Sequence, residues 1–137
     1  MLAYIDSSII LRIIFNERDP LKEFSKISYG ISSELLRVEC LRTADRFRIK
    51  NDLSEEEYLE RIEKIHDFIS AIELIHISPE ILDRATQPYP VSLGTLDAIH
   101  LSTYLLFKEK TQKDLVLCTH DENLKKASRS MGFKYLG

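Results

Sequence analysis

Glycine is scarce in this chain, with four residues in 137. That scarcity excludes the Gly-rich phosphate cradles, since neither a G-x-G-x-x-G turn nor a Walker A loop can be traced anywhere. Cysteine is scarcer still. Cys40 and Cys118 lie in separate apolar stretches and read as reduced, buried thiols, not as a disulfide framework. His66, His76, His100 and His120 fall at no zinc-ligand spacing with them. Long apolar runs are absent too: Ile9 to Phe15 is the longest, is broken by Arg12, and is far too short for a bilayer. The opening Met1-Leu2-Ala3-Tyr4-Ile5-Asp6 has no basic stretch and no small-residue cleavage pattern. A cytoplasmic protein without a membrane role is expected. Basic charge is not in excess, and a net charge of −3 runs against the usual profile of a nucleic-acid-binding domain.

What is present is ordinary globular material, 44% apolar and 30% charged. The length suits one domain over residues 1–137, without repeats or linkers. Charge is unevenly spread. Arg37, Arg42, Arg46, Arg48 and Lys50 share one segment, Lys125, Lys126, Arg129 and Lys134 another, and Glu55, Glu56, Glu57, Glu60 and Glu63 a third. Taken alone, such clusters are solvated helix faces.

The pattern alternates strands and helices. Leu2 to Ile5 reads as a buried strand ending at Asp6-Ser7-Ser8, followed by a buried helix over Ile9 to Asn16. Asp19-Pro20 has the form of a helix start, with Asp19 as cap. Tyr29 to Ser32 suggests a second strand, and Ser33 caps a long helix to about Lys50. Ser54 with Glu57 forms a capping box for a helix to about Ala71. Glu73 to Ile77 is a third strand, Ser78-Pro79 opens a short helix through Ala85, and Gln87 to Gly94 is a Pro-rich loop. Thr95 caps a helix to about Phe107, Leu115 to Cys118 is a fourth strand, and Asp121 to Met131 a last helix stopped by Gly132. Phe133 to Leu136 makes a short fifth. This spacing predicts an α/β fold, a doubly wound parallel sheet of four to five strands with helices on both faces.

In such a sheet, ligands bind beyond the carboxyl ends of the strands, at the switch point. Asp6 follows the first strand, Asp121 the fourth, and Asp97 lies in the first turn of the helix after the Pro-rich loop. Each alone is an ordinary capping aspartate. Glu39 is less easily explained, because its helix direction falls between Leu35 and Leu36, where an unpaired carboxylate is costly. A salt bridge to Arg42 or Arg46 is the structural explanation. Together the four acids suit a hard divalent cation, Mg²⁺ or Mn²⁺, which can activate water and stabilise charge on a phosphoryl oxygen. Without a cation, four clustered carboxylates imply raised pKa values. His100, one turn after Asp97, is placed to share a metal with it but reads more readily as a helix histidine packed near the core, and His120 as an exposed neighbour of Asp121.

The constellation resembles the PIN-domain ribonucleases, and within them the VapC-type toxins of toxin–antitoxin pairs. "YIDSSIIL" is similar to the family's first acidic motif, "SSELLRVECLR" to its second with Glu39 in the acidic position, "LGTLDAIHLSTYL" to its third, and "LVLCTHDENLKKASRSMGF" to its fourth. The match spans essentially the whole chain. It implies one Mg²⁺ or Mn²⁺ pocket built from Asp6, Glu39, Asp97 and Asp121, and hydrolysis of RNA phosphodiesters by metal-activated water. It also implies a homodimer and inhibition by a small cognate antitoxin, while the apolar Ile9 to Phe15 helix is long enough to serve both core and interface. On this basis Asp6 and Asp97 are direct metal ligands, and Glu39 and Asp121 bind through water or orient the attacking water. Ser7 and Thr119 hold carboxylates in place by hydrogen bonding. Arg42, Arg46 and Lys125 are candidate contacts to RNA phosphates. Many relatives carry arginine where this chain has Gly94, and members differ over whether the residue equivalent to Asp121, Glu122 or Asn123 touches metal.

Three alternatives stand beside this reading. One is a PIN-type nuclease of RNA processing or DNA-flap cleavage; another is a catalytically inactive PIN-like interaction domain, against which retention of all four acids argues. A phospho-acceptor receiver domain would need a lysine after the last strand, and none falls there.

Overall fold

Leu2–Ile5 forms the first strand, β1, and its alternation sorts the interior into two halves. Ala3 and Ile5 point to one face of the sheet and Tyr4 to the other. A computed structural model describes all 137 residues. In chain order the elements are β1, α1 (Ser7–Ile14), a 3₁₀ turn (Lys22–Lys26), β2 (Tyr29–Ser33), α2 (Leu35–Asn51), α3 (Glu55–Ser70) and β3 (Ile72–Ile75). They continue with α4 (Pro79–Ala85), α5 (Thr95–Thr111), β4 (Val116–Cys118), α6 (Glu122–Ser130) and β5 (Tyr135–Leu136). The sheet has five strands in the order β3-β2-β1-β4-β5, and every pairing is parallel.

Helices cover both faces. Ala3 and Ile5 pack with Ile9, Ile10 and Ile14 of α1, Leu36, Cys40 and Ala44 of α2, and Ile65 of α3. Tyr4, Ile31 and Leu117 pack with Leu101, Tyr104 and Leu105 of α5 and with Leu124 and Ala127 of α6. Each fully buried Ile or Leu contributes about 1.5–3 kcal/mol relative to exposure, so the alternation of three strand residues fixes which helices stand on which face. Helix α1 buries Ile9, Ile10 and Ile14 in this core and leaves Leu11 and Ile13 partly exposed. No helix is long and apolar enough to cross a membrane.

Local signals hold where the chain is self-contained. The Ser54–Glu57 capping box is formed in both directions, and Ser78 caps α4 through the amide of Ile81. They fail where a distant group intervenes. Asp19 does not cap a helix: it sits at φ 54°, in the left-handed region, whereas an N-cap needs extended backbone. The Arg12 guanidinium donates to the carbonyls of Arg18 and Asp19 at 3.3 and 3.4 Å and holds the loop in that shape. The third strand ends at Ile75, short of Ile77, because the Ile77 amide leaves the ladder to donate to Glu34 Oε1 at 2.8 Å. Gly94, not Thr95, caps α5, and that helix runs to Thr111 before Gln112 closes it at φ 55°.

Candidate active site

The winding reverses at β1. Strands β2 and β3 lie on one side of it and β4 and β5 on the other, so the crevice beyond β1 and β4 is the switch point. Register decides what meets there. Ile5 pairs with Cys118, which brings the next residues, Asp6 and Thr119, side by side.

Asp6 caps α1 and is 5% exposed. Its Oδ2 accepts from Thr119 Oγ1 at 2.8 Å, from Ser8 Oγ at 2.5 Å and from the Ser8 amide at 3.4 Å. All these donors converge on one oxygen, leaving Oδ1 without a partner in the chain. Ser8 Oγ also accepts from the His120 amide at 2.8 Å, and Thr119 Oγ1 from the Asp121 amide at 2.9 Å. The two strand ends are thus laced together around a single carboxylate. The contact expected of Ser7 is made by Ser8; Ser7 is buried within α1 and makes no side-chain hydrogen bond to a carboxylate.

Glu39 reaches the crevice from α2. It pairs with neither Arg42 nor Arg46: Arg42 binds Asp45 at 3.0 Å, and Arg46 donates to Thr43. Its partner is His100, whose Nε2 lies 2.7 Å from Glu39 Oε2. His100 is 1% exposed, and its Nδ1 is 2.8 Å from Tyr4 Oη. Tyr4 Oη in turn accepts from the Ser33 amide at 3.1 Å. Burial pulls the pKa of His100 down, but the hydrogen bond to Glu39 and the charges of Asp6, Glu39 and Asp97 outweigh it, and the net displacement is upward.

Asp97, in the first turn of α5, is half-buried, and its carboxyl is pushed up to about 6. Burial is the largest cause; the charges of Asp121 and Asp6 follow, with Glu39 adding to them and His100 opposing. The raised value expected of crowded carboxylates is therefore present at Asp97, led by burial, with the charges of the other three acids adding to it. Asp121 caps α6, with Oδ1 accepting from the amides of Asn123 and Leu124 at 2.8 and 2.9 Å. Of its neighbours, Glu122 turns outward to Lys125 at 3.0 Å and Asn123 is exposed.

Sequence reasoning passed over Ser8 and Tyr4, and ranked a metal-sharing role for His100 below a core histidine. The one available signal for the histidine was its position a turn beyond Asp97. Asp6, Glu39 and His100 each offer a ligand atom, and these lie within 4.8 Å of one another. With Asp97 and Asp121 beside them, this carboxylate-rich donor set can hold a divalent cation. Of the candidate phosphate contacts, Arg42 lines a groove beside the edge strand β3 and Arg46 is exposed on α2. Lys125 lies near enough to His120, with Arg12, to help lower its pKa, an effect led by desolvation.

A doubly wound α/β sheet with an acid-lined switch-point crevice defines the class of this protein. The family is settled by the chain as a whole: residues 3–130 match the PIN domain model, and the chain belongs to that family. It is 29% identical over 133 residues to the ribonuclease VapC46 of Mycobacterium tuberculosis, covering 94% of this chain and 92% of that one. Its fold is similar to that of a chain in a toxin–antitoxin complex from Klebsiella pneumoniae, at TM-score 0.64 and 20% identity over 88% of each. It is similar too to a chain of VapBC2 from Rickettsia felis bound to a promoter DNA fragment, at TM-score 0.64 and 15% identity over 98% and 97%.

Proposed function

We propose that this chain is the toxin of a toxin–antitoxin pair, an endoribonuclease that hydrolyses RNA phosphodiesters with Mg²⁺ or Mn²⁺ held by Asp6, Glu39, Asp97 and Asp121. The observation that carries the reading is geometric: ligand atoms of Asp6, Glu39 and His100 lie within 4.8 Å of one another at the switch point, with Asp97 and Asp121 beside them. A crevice that gathers this many carboxylates suits a divalent cation.

A divalent cation bound there supplies a water of lowered pKa and offsets charge developing on the phosphoryl oxygens. The chain's own residues do the rest. Ser8 and Thr119 fix Asp6 so that its unpartnered Oδ1 is available as a ligand. Asp97 would hold the cation as a carboxylate, and the bound positive charge would offset the repulsion from its acidic neighbours. Asp121 is clamped by the α6 amides through Oδ1, leaving Oδ2 to bind through water or to orient the attacking water. Arg42, Arg46 and Lys125 contact phosphates and position the strand without reading sequence.

An antitoxin partner is supported by the likeness to VapC46 and to chains from toxin–antitoxin complexes. A homodimer is supported by Leu82 of α4 and Leu96 of α5, both exposed, with Leu82 lining the groove between these helices. The reading places the whole chain, residues 1–137, in the cytoplasm as one catalytic domain. The test is cleavage of single-stranded RNA by the purified chain in Mn²⁺, with EDTA, Asp6→Ala and Asp97→Ala as controls. Cleavage lost in all three controls is expected. Wild-type cutting rates from Asp97→Ala would overturn the site.

A further inference from the structure

Glu39 is held differently from the other acids. Asp6 and Asp121 are fixed by hydroxyls and amides of their own strand ends and helix starts, whereas Glu39 projects from α2 and makes its one side-chain hydrogen bond to His100. That histidine is nearly wholly buried, and its ring is pinned at both nitrogens. The chain of contacts runs from the Ser33 amide to Tyr4 Oη at 3.1 Å, on to His100 Nδ1 at 2.8 Å, and from Nε2 to Glu39 Oε2 at 2.7 Å. Its direction follows from donors and acceptors. A backbone amide can only donate, so Tyr4 Oη accepts from Ser33 and has its own hydrogen free for Nδ1. An imidazole that accepts at Nδ1 carries its proton on Nε2, and that proton points at a carboxylate that can only accept.

We propose that Tyr4 and His100 are positioning residues that aim Glu39 into the cation site, a role that rests on the nuclease reading above. His100 occupies Oε2 and leaves Oε1, which has no hydrogen bond within the chain, as the ligand oxygen beside Asp6. Tyr4 touches no carboxylate. It selects the tautomer of His100, because an imidazole protonated on Nδ1 alone would turn a lone pair toward Glu39. The ring of Tyr4 packs edge-on against both His100 and Tyr104, with centroids 5.9 and 6.0 Å away, so the hydroxyl is delivered from a fixed platform within the sheet.

The experiment measures Mn²⁺ affinity by calorimetry alongside RNA cleavage in the whole chain, for wild type, Tyr4→Phe, His100→Gln and His100→Leu. Thermal melts establish that each variant is folded at the assay temperature. Tyr4→Phe is expected to bind Mn²⁺ about tenfold more weakly, the usual loss when a residue orienting a metal ligand is removed. His100→Gln, which keeps an N–H donor near the Nε2 position, should retain more affinity than His100→Leu. In the unsubstituted protein at alkaline pH, long-range ¹H–¹⁵N correlation should place the single proton of neutral His100 on Nε2, a readout that needs no variant to fold. Wild-type Mn²⁺ affinity in folded Tyr4→Phe overturns the proposal, as does equal affinity in the two His100 variants. Nitrogen hyperfine coupling on bound Mn²⁺ also overturns it, since His100 would then be a ligand and not a positioner. A wild-type chain that binds Mn²⁺ but leaves RNA intact sinks the nuclease reading alone, and the affinities still decide the positioning claim.

Discussion

Replacing Asp97 by Asn should make the metal-free protein more stable while abolishing cleavage. The carboxyl is raised from an ordinary 3.8 to about 6, a difference worth about 3 kcal/mol against the charged form. Half of the side chain is in water, so solvent screening leaves roughly 1 kcal/mol of that in the folding balance. The α5 N-terminus favours a carboxylate at this position by about 0.3–1 kcal/mol, and the raised value reflects burial and repulsion prevailing over it. The sign follows from linkage. Below pH about 4 Asp97 is protonated in both folded and unfolded chains, and wild type and Asp97→Asn should be equally stable. Between about pH 4 and 6 the unfolded chain ionises while folded Asp97 keeps its proton, so wild-type stability falls relative to the variant, and above about 6 the full penalty applies. At pH 7.5 in EDTA, Asp97→Asn should melt about 4 °C higher, from 1 kcal/mol in a domain of this size. Mn²⁺ at a hundredfold excess over its Kd adds about 2.7 kcal/mol to the wild type and should reverse the order. The assay is a calorimetric melt at pH 4 and pH 7.5, with and without Mn²⁺. A variant that melts at or below wild type in EDTA at pH 7.5 would refute the reasoning. So would a difference that is the same at both pH values.

Other substitutions separate neighbouring claims. Ser8→Ala removes a 2.5 Å donor from Asp6 Oδ2 and the acceptor of the His120 amide, and should weaken Mn²⁺ binding about tenfold, while Ser7→Ala leaves it unchanged; calorimetric titration of the two decides. Gly94→Arg meets no steric barrier, because a Cβ there would lie 3.8 Å from Asp97 Oδ2 in ordinary contact. The added cation should bring the Asp97 carboxyl back down toward its usual range, as followed by carboxyl ¹³C shifts against pH. Cys40 and Cys118 are both fully buried, with thiols pushed up to about 12 chiefly by desolvation. Neither should react with a thiol reagent until the chain unfolds, and modification rates measured across a denaturant series test this.

Much of the architecture could be read locally. Leu2–Ile5, the Ser54–Glu57 box, the Ser78 cap and the Gly132 stop, at φ 72°, depend on residues a few positions apart. The Asp19 start did not form, because Arg12, from the preceding helix, reaches over to bind the loop carbonyls. Sequence also singled out the four acids, since an aspartate after a strand or in a helix's first turn is recognisable by position and Glu39 by its direction between Leu35 and Leu36. It could not say which side chains hold them. Ser7 and Ser8 are equivalent in one dimension, and only the placement of α1 over Thr119 chooses Ser8.

The type and order of the carboxylates, and the parallel sheet that gathers them, were thus determined by the sequence itself, through hydrophobic alternation and capping chemistry that act over a turn or a strand. The partners of those carboxylates were decided by tertiary structure. Thr119 meets Asp6 across 113 positions through the β1–β4 register, and His100 meets Tyr4 across 96 through the packing of α5 on the sheet. A hydrogen bond between groups so far apart in the chain exists only once the intervening strands and helices have taken their places. The reason Glu39 tolerates its apolar surroundings is accordingly visible in the fold and not in the string.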